Sequence, residues 1–176
     1  PFNVSNQLLW WAEHRPSLMK KGVRFLPVST LFTWYLGGRV AVDSTWASVT
    51  QLMDCRKRRW SRELLKALGV PARVMPEIVD PGEVVGTLSK PLAASIGLPE
   101  AKLIAVAAHD TASAFAAAPV ASPSSALVIS SGTWSLVGKI IRRPITTPEA
   151  MNANLSNEGG IGNIRFLKNC MGTWLV

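Results

Sequence analysis

Three short stretches concentrate the side chains able to do chemistry. The first is VAAHDTASAF, residues 106–115, which sets His109 and Asp110 between an apolar run and an alanine-rich one. A carboxylate where a strand meets a helix accepts hydrogen bonds from the free N–H groups of the first turn, and a helix start favours an anionic side chain. Capping alone therefore accounts for Asp110. Strand-end carboxylates in α/β sheets also point into the crevice where ligands bind. His109 adds a donor and an acceptor, and Thr111 a hydroxyl, so three polar groups converge where a polyol could sit. Cap and general base both stand as readings of Asp110.

The second stretch is SSGTWS, residues 130–135. Two apolar strands joined through Gly132–Thr133 place successive N–H groups and hydroxyls around a tight turn, a concavity that suits phosphate. It is no Walker loop, because GxxxxGK[ST] occurs nowhere in the chain. The third is NEGG, residues 157–160, where Gly159–Gly160 predicts a positive-φ turn, with Asn157 and Glu158 as caps or ligand-facing groups. Two cysteines, Cys55 and Cys170, are too few and too distant for a disulfide framework or a zinc site, and favour a reducing, cytoplasmic setting.

The elements that must position these stretches fall in two textures. The first 70 residues predict helices: SNQLLWWAEH capped by Ser5, STLFTWYLGG ending at Gly37–Gly38, DSTWASVTQLMD capped by Asp43 or Ser44, and SRELLKALGV from Ser61 to Gly69. Five prolines punctuate residues 71–102, with a strand at EVVGTL and a helical turn at PLAASIG. Beyond lie a strand at KLIAVAAHD, a small-residue helix at TASAFAAA and two strands in SALVISSGTWSLVGKII. The tail predicts a short strand around Ile164–Phe166 and then the start of a helix. PVASPS, residues 119–124, marks a boundary between domains at 1–120 and 121–176.

Composition excludes several classes. Hydrophobic residues make up 48% and charged residues 17%, which describes a globular rather than a disordered chain. Residues 111–138 carry no charge and could cross a bilayer by length, but Pro119, Pro123 and nine Ser or Thr residues break them into helix, turn and strand. No membrane association is expected. The net charge of +8 is concentrated in RKRRWSRELLK, residues 56–66, with six basic residues and one acidic, leaving 13 basic against 10 acidic elsewhere. A solvated basic turn explains this better than a nucleic-acid surface, because Trp60 is the only aromatic beside it.

In combination and order, HDTASA, ALVISSGTWSLVG, NEGG and RFLKNCMGTWL resemble the FGGY carbohydrate-kinase family, and within it the branch that phosphorylates L-rhamnulose. FNVSNQLLW, STLFTWYLGG and STWASVTQLMD extend the resemblance over nearly the whole chain. The L-fuculose branch shares HDT and SSGTW, whereas NEGG and LKNCMGTWL look more like the L-rhamnulose branch. The resemblance implies an α/β actin-like ATPase (ribonuclease H-like) fold, two domains around a cleft, only partly present here. It implies ATP and Mg²⁺, and γ-phosphate transfer to the sugar 1-hydroxyl. Asp110 would be the general base, His109 and Thr111 sugar contacts, and Gly132, Thr133 and Asn169 nucleotide contacts. Alternatives are an L-fuculokinase-like enzyme or a sugar-binding relative without turnover.

Departures from the pattern are Ser29, Thr30 and Leu31 in place of Pro-Asp-aromatic, and Thr45-Trp46-Ala47 in place of Thr-Asn-Ala. The family's N-terminal phosphate and Mg²⁺ turn and its C-terminal adenosine segment have no counterpart in the 176 residues, and none of the present residues is expected to ligate a metal. The chain thus reads as an internal piece, inactive by itself, of undetermined oligomeric state.

Overall fold

The computed structural model describes residues 3–122 and 125–173. Its first part is built on helix α1 (Val4–His14), α2 (Val28–Leu36), strand β1 (Ala41–Asp43), α3 (Ser44–Ser48), a two-residue hairpin of β2 (Met53–Asp54) and β3 (Arg59–Trp60), and α4 (Arg62–Ala67). Then follow β4 (Glu77–Val79), β5 (Val84–Thr87), α5 (Lys90–Ile96), β6 (Lys102–Ile104) and α6 (Asp110–Ala117). β1 and β4 pair in parallel, from Ala41 opposite Glu77 to Asp43 opposite Val79, with α3, the hairpin and α4 forming the long crossover that a parallel pair requires.

Two apolar clusters hold this part. Leu8, Leu52, Leu65, Val70, Val74 and Met75 close over α1 and α4, and Ala41, Val79 and Val85 close over the small strands. Trp60 packs half-buried against the first cluster and donates its indole N–H to the Pro76 carbonyl at 2.6 Å, so its polar edge is satisfied.

The second part is a four-stranded antiparallel sheet with the order β7 (Val128–Ser131), β8 (Trp134–Ile141), β10 (Ile164–Met171), β9 (Ser156–Gly159), and α7 (Pro148–Asn152) bridges β8 to β9. β8 and β10 pair along all eight residues, from Trp134 opposite Met171 to Ile141 opposite Ile164. The expected hairpin turn at Gly132–Thr133 is present between β7 and β8, and Gly172 and Thr173 donate backbone N–H groups to the Thr133 and Gly132 carbonyls.

Several expectations are corrected. The helix α1 begins at Val4 with Asn3 at its N-cap, and Ser5 lies inside it, donating instead to Gln51 Oε1 at 2.6 Å. The first 70 residues are less helical than read, because β1 and the β2–β3 hairpin interrupt them. KLIAVAAHD is strand only over Lys102–Ile104, so residues 105–109 form a loop before α6. The tail strand is longer than expected, running through Met171 and stabilised by ladders on both edges, and the expected helix start after it falls largely outside the described residues. Pro123 and Ser124 of the expected boundary, and Trp174–Val176 of the tail, lie outside the described residues.

NEGG is strand, not turn. Gly159 ends β9, and the positive φ belongs to Gly162 in the following turn, at 67°. Gly159 serves close approach: a Cβ there would lie 2.7 Å from the Ser44 carbonyl oxygen, and its N–H donates to Ser48 Oγ at 2.7 Å. The β9–β10 hairpin is thereby docked on α3. Gly159→Ala in the full-length protein is expected to cost about 1–3 kcal/mol, as overpacking does, read as a lowered urea midpoint. A midpoint equal to wild type would show that the docking is loose.

Candidate active site

The site is built on a cross-strand pair. Glu158 of β9 stands directly opposite Arg165 of β10, and both turn from the sheet toward the start of α6. Arg165 is fully buried, and its Nε donates to the Gly159 carbonyl at 2.9 Å. Its Nη2 lies 3.2 Å from Glu158 Oε2 and 3.1 Å from His109 Nδ1. The guanidinium carbon sits 5.9 Å from the centre of the buried Phe115 ring. A buried charge persists only when paired in this way.

A guanidinium can only donate, so His109 Nδ1 must accept, which leaves the imidazole proton on Nε2. Nε2 is the atom that faces Asp110, 3.7 Å from Oδ1. Arg165 therefore sets the tautomer of the histidine beside the candidate base. Burial first, and Arg165 second, push the His109 pKa below its ordinary 6.5, against the pull of Glu158, Asp110 and Asp43. Burial also lowers the Arg165 pKa, opposed by the same three carboxylates.

As pH falls through 6.5, the unfolded chain takes up the proton on His109 before the folded chain does. Stability is complete above that pH and declines below it, by at most about 1.4 kcal/mol per pH unit from this group. Melting temperature of the full-length protein should drop between pH 7 and pH 5, and less so in His109→Gln. Identical slopes in the two proteins would remove His109 from the network.

The other wall is α3. Asp43 is buried and caps the helix, with Oδ1 accepting from the N–H groups of Thr45 and Trp46 at 3.0 and 3.2 Å and from the Thr45 hydroxyl. The same hydroxyl oxygen receives the His109 N–H at 3.4 Å. Thr45, fully buried, thus ties the helix cap to the HDT segment, and the departure at Trp46 leaves this tie intact.

Asp110 itself is open, with its side chain 95% exposed. His109 occupies the N-cap position by backbone and makes no side-chain cap; Asp110 is the first helical residue, and its Oδ1 accepts the Thr111 N–H at 2.6 Å. The expected side-chain cap is therefore not made: among the described residues Asp110 accepts only from its neighbour Thr111, and its carboxylate stays open. Thr111 is buried, with its hydroxyl directed to Asp110 Oδ1 at 3.3 Å, and His109 is engaged by Arg165. Gly132 and Thr133 lie exposed at the β7–β8 turn, and Asn169 lies exposed on β10 opposite Leu136. Alternation along a strand puts Arg165 and Asn169 on the same face of the sheet, roughly 14 Å apart.

Arg165 is the residue that motif reading passed over, and Glu158, read as a cap or ligand-facing group, is its buried partner. Their signal was present: an arginine in the apolar alternation of NIRFL, and a glutamate seven residues earlier across a glycine-rich turn, in register for a hairpin pair.

Residues 1–117 match the model of the N-terminal domain of the FGGY family of carbohydrate kinases. The chain belongs to that family. This FGGY chain is 41% identical over 177 residues to the rhamnulokinase of Pectobacterium atrosepticum, with all of the chain and 34% of that relative covered. It is equally 41% identical to the rhamnulokinase of Enterobacter sp. strain 638, covering all of the chain and 35% of the relative. It spans about a third of the length of these curated relatives. Among solved structures, ligand-bound xylulose kinase from Lactobacillus acidophilus superposes with a TM-score of 0.80 at 19% identity, over 95% of the FGGY chain and 33% of that enzyme. The expected fold class holds: an α/β chain carrying part of an actin-like ATPase fold. No helix among the described residues is long and apolar enough to cross a membrane.

Proposed function

We propose that the full-length protein is an ATP-dependent sugar kinase that transfers the γ-phosphate to the 1-hydroxyl of L-rhamnulose, with Asp110 as general base. The observation that carries this reading is an open carboxylate at the end of a buried charged network. Asp110 is exposed, while His109, Arg165 and Glu158 behind it are held at 3.1 to 3.2 Å contacts. Phosphoryl transfer passes through a loose transition state, so the protein mainly positions the nucleophile and stabilises phosphate charge. Asp110 orients the hydroxyl and accepts its proton late, while the Nε2–H of His109 beside it is a donor for a sugar oxygen. Thr111 then acts through Asp110 rather than on the sugar.

Gly132, Thr133 and Asn169 make up the nucleotide side of the proposal. Their exposure at one end of the sheet and the shared face of Asn169 and Arg165 support it. Arg165 Nη1 is buried without a hydrogen-bond acceptor among the described residues, so the guanidinium keeps its positive charge behind the site. Mg²⁺ would supply charge neutralisation on the phosphates. It keeps most of its ligands as water and phosphate oxygens, so it asks for few protein ligands and Asp110 is left free to take the hydroxyl proton. The end of the family match at residue 117 supports a division near residue 120, and two free cysteines support a cytoplasmic setting.

The test is ADP release by the full-length protein with L-rhamnulose, L-fuculose, xylulose and glycerol in parallel. The highest kcat/KM is expected for L-rhamnulose. A preference for L-fuculose would move the substrate, and no ADP with any of the four would reject the kinase reading.

A further inference from the structure

Three turns converge on a second concavity, away from Asp110. The β2–β3 turn brings Arg56 and Arg58, the end of β8 brings Arg142 and Arg143, and the β9–β10 turn brings Asn163. They line a cavity of about 260 Å³ whose one carboxylate, Glu158, already faces Arg165. The β2–β3 turn is held in shape by Asp54, whose Oδ1 accepts the N–H groups of Arg56 and Lys57 at 2.9 and 3.0 Å.

Arg58 is paired with Asp80, and Arg56 donates to the Thr146 hydroxyl. Arg142 and Arg143 have no hydrogen bond or ion pair among the described residues. Four guanidinium groups around one concavity repel one another, and an anion seated among them converts that repulsion into attraction. Planar guanidinium forks match the oxygens of phosphate two at a time. The volume corresponds to roughly nine waters of liquid, enough for a compact ligand and small beside most cofactor sites.

We propose that this cavity binds a compact phosphate-bearing anion, either free polyphosphate or the phosphate end of a small ester. It is distinct from the nucleotide contacts proposed above: Thr133 precedes β8 and Arg142 follows it, and an eight-residue strand runs roughly 27 Å. The inference does not rest on the role of Asp110. The cavity and the candidate active site share Glu158 as a wall, so an anion held here lies behind the Arg165–His109 contact rather than against the base.

Calorimetric titration of the full-length protein with inorganic pyrophosphate, inorganic phosphate and glucose 6-phosphate tests this. Binding of at least one is expected, weakened by about tenfold or more in the double variant Arg142→Gln, Arg143→Gln, and unchanged in Thr133→Ala. Tighter binding of pyrophosphate identifies a free polyphosphate, and tighter binding of glucose 6-phosphate identifies an ester. Both arginines are exposed and unpartnered, so the double variant should melt with wild type, and Arg56→Gln provides a second variant from the opposite wall. The proposal is overturned if none of the three binds, if the arginine variants bind like wild type, or if Thr133→Ala abolishes binding. It is equally overturned if single-stranded RNA displaces the small anions, which would make the patch a nucleic-acid surface.

Discussion

Arg165→Met is expected to destabilise the full-length protein by about 3–5 kcal/mol, because it strands Glu158, whose side chain is 8% exposed, as a buried charge without a partner. That is a large fraction of the 5–15 kcal/mol typical of a folded domain. Three other contacts go with it: the donor to the Gly159 carbonyl, the donor to His109 Nδ1 and the cation over Phe115. Glu158→Leu combined with Arg165→Met removes both charges, and apolar replacement of a buried pair is often neutral. The double variant should therefore recover most of the stability in urea denaturation. It should not recover turnover, because nothing then fixes the His109 proton on Nε2. A single variant within 1 kcal/mol of wild type would show that the pair is not buried in the intact protein.

Asp110→Asn has the opposite signature. Its side chain is almost wholly exposed, and its contacts are the neighbouring Thr111 and the His109 Nε2 at 3.7 Å, so stability should stay within about 1 kcal/mol of wild type. Removing a general base costs on the order of 10²- to 10⁴-fold in rate. kcat for ADP release should fall by that amount while KM for the sugar changes little, since the amide keeps a hydrogen-bonding oxygen in the same place. A matched rise in KM with kcat preserved would make Asp110 a binding residue and favour a sugar-holding role without base catalysis.

Much of the site was readable because its motifs are local. HDT lies at a helix start and SSGT at a hairpin tip, and both features follow from apolar runs broken by small polar residues. The network behind Asp110 was not readable in the same way. Arg165 and His109 are 56 residues apart, and Glu158 reaches them only through the register of β9 with β10. NEGG misled because a glycine pair signals a turn when only local backbone freedom is weighed. Here Gly159 is small because α3 lies against it, a constraint visible only in three dimensions. The tail misled for a related reason: RFLKNCM has no strong strand bias, and its extended form is stabilised by ladders from β8 and β9. The β2–β3 hairpin hid inside a basic stretch that charge alone explained.

The central claim is that a proton leaves the sugar hydroxyl to the carboxylate of Asp110 as phosphate arrives. Single-turnover transfer of labelled γ-phosphate from ATP to L-rhamnulose, run on full-length wild type and Asp110→Asn with both saturated in sugar, tests it most directly. A labelled sugar 1-phosphate formed by wild type and at least about a hundredfold more slowly by the variant is the predicted result. Equal transfer rates in the two proteins would contradict it.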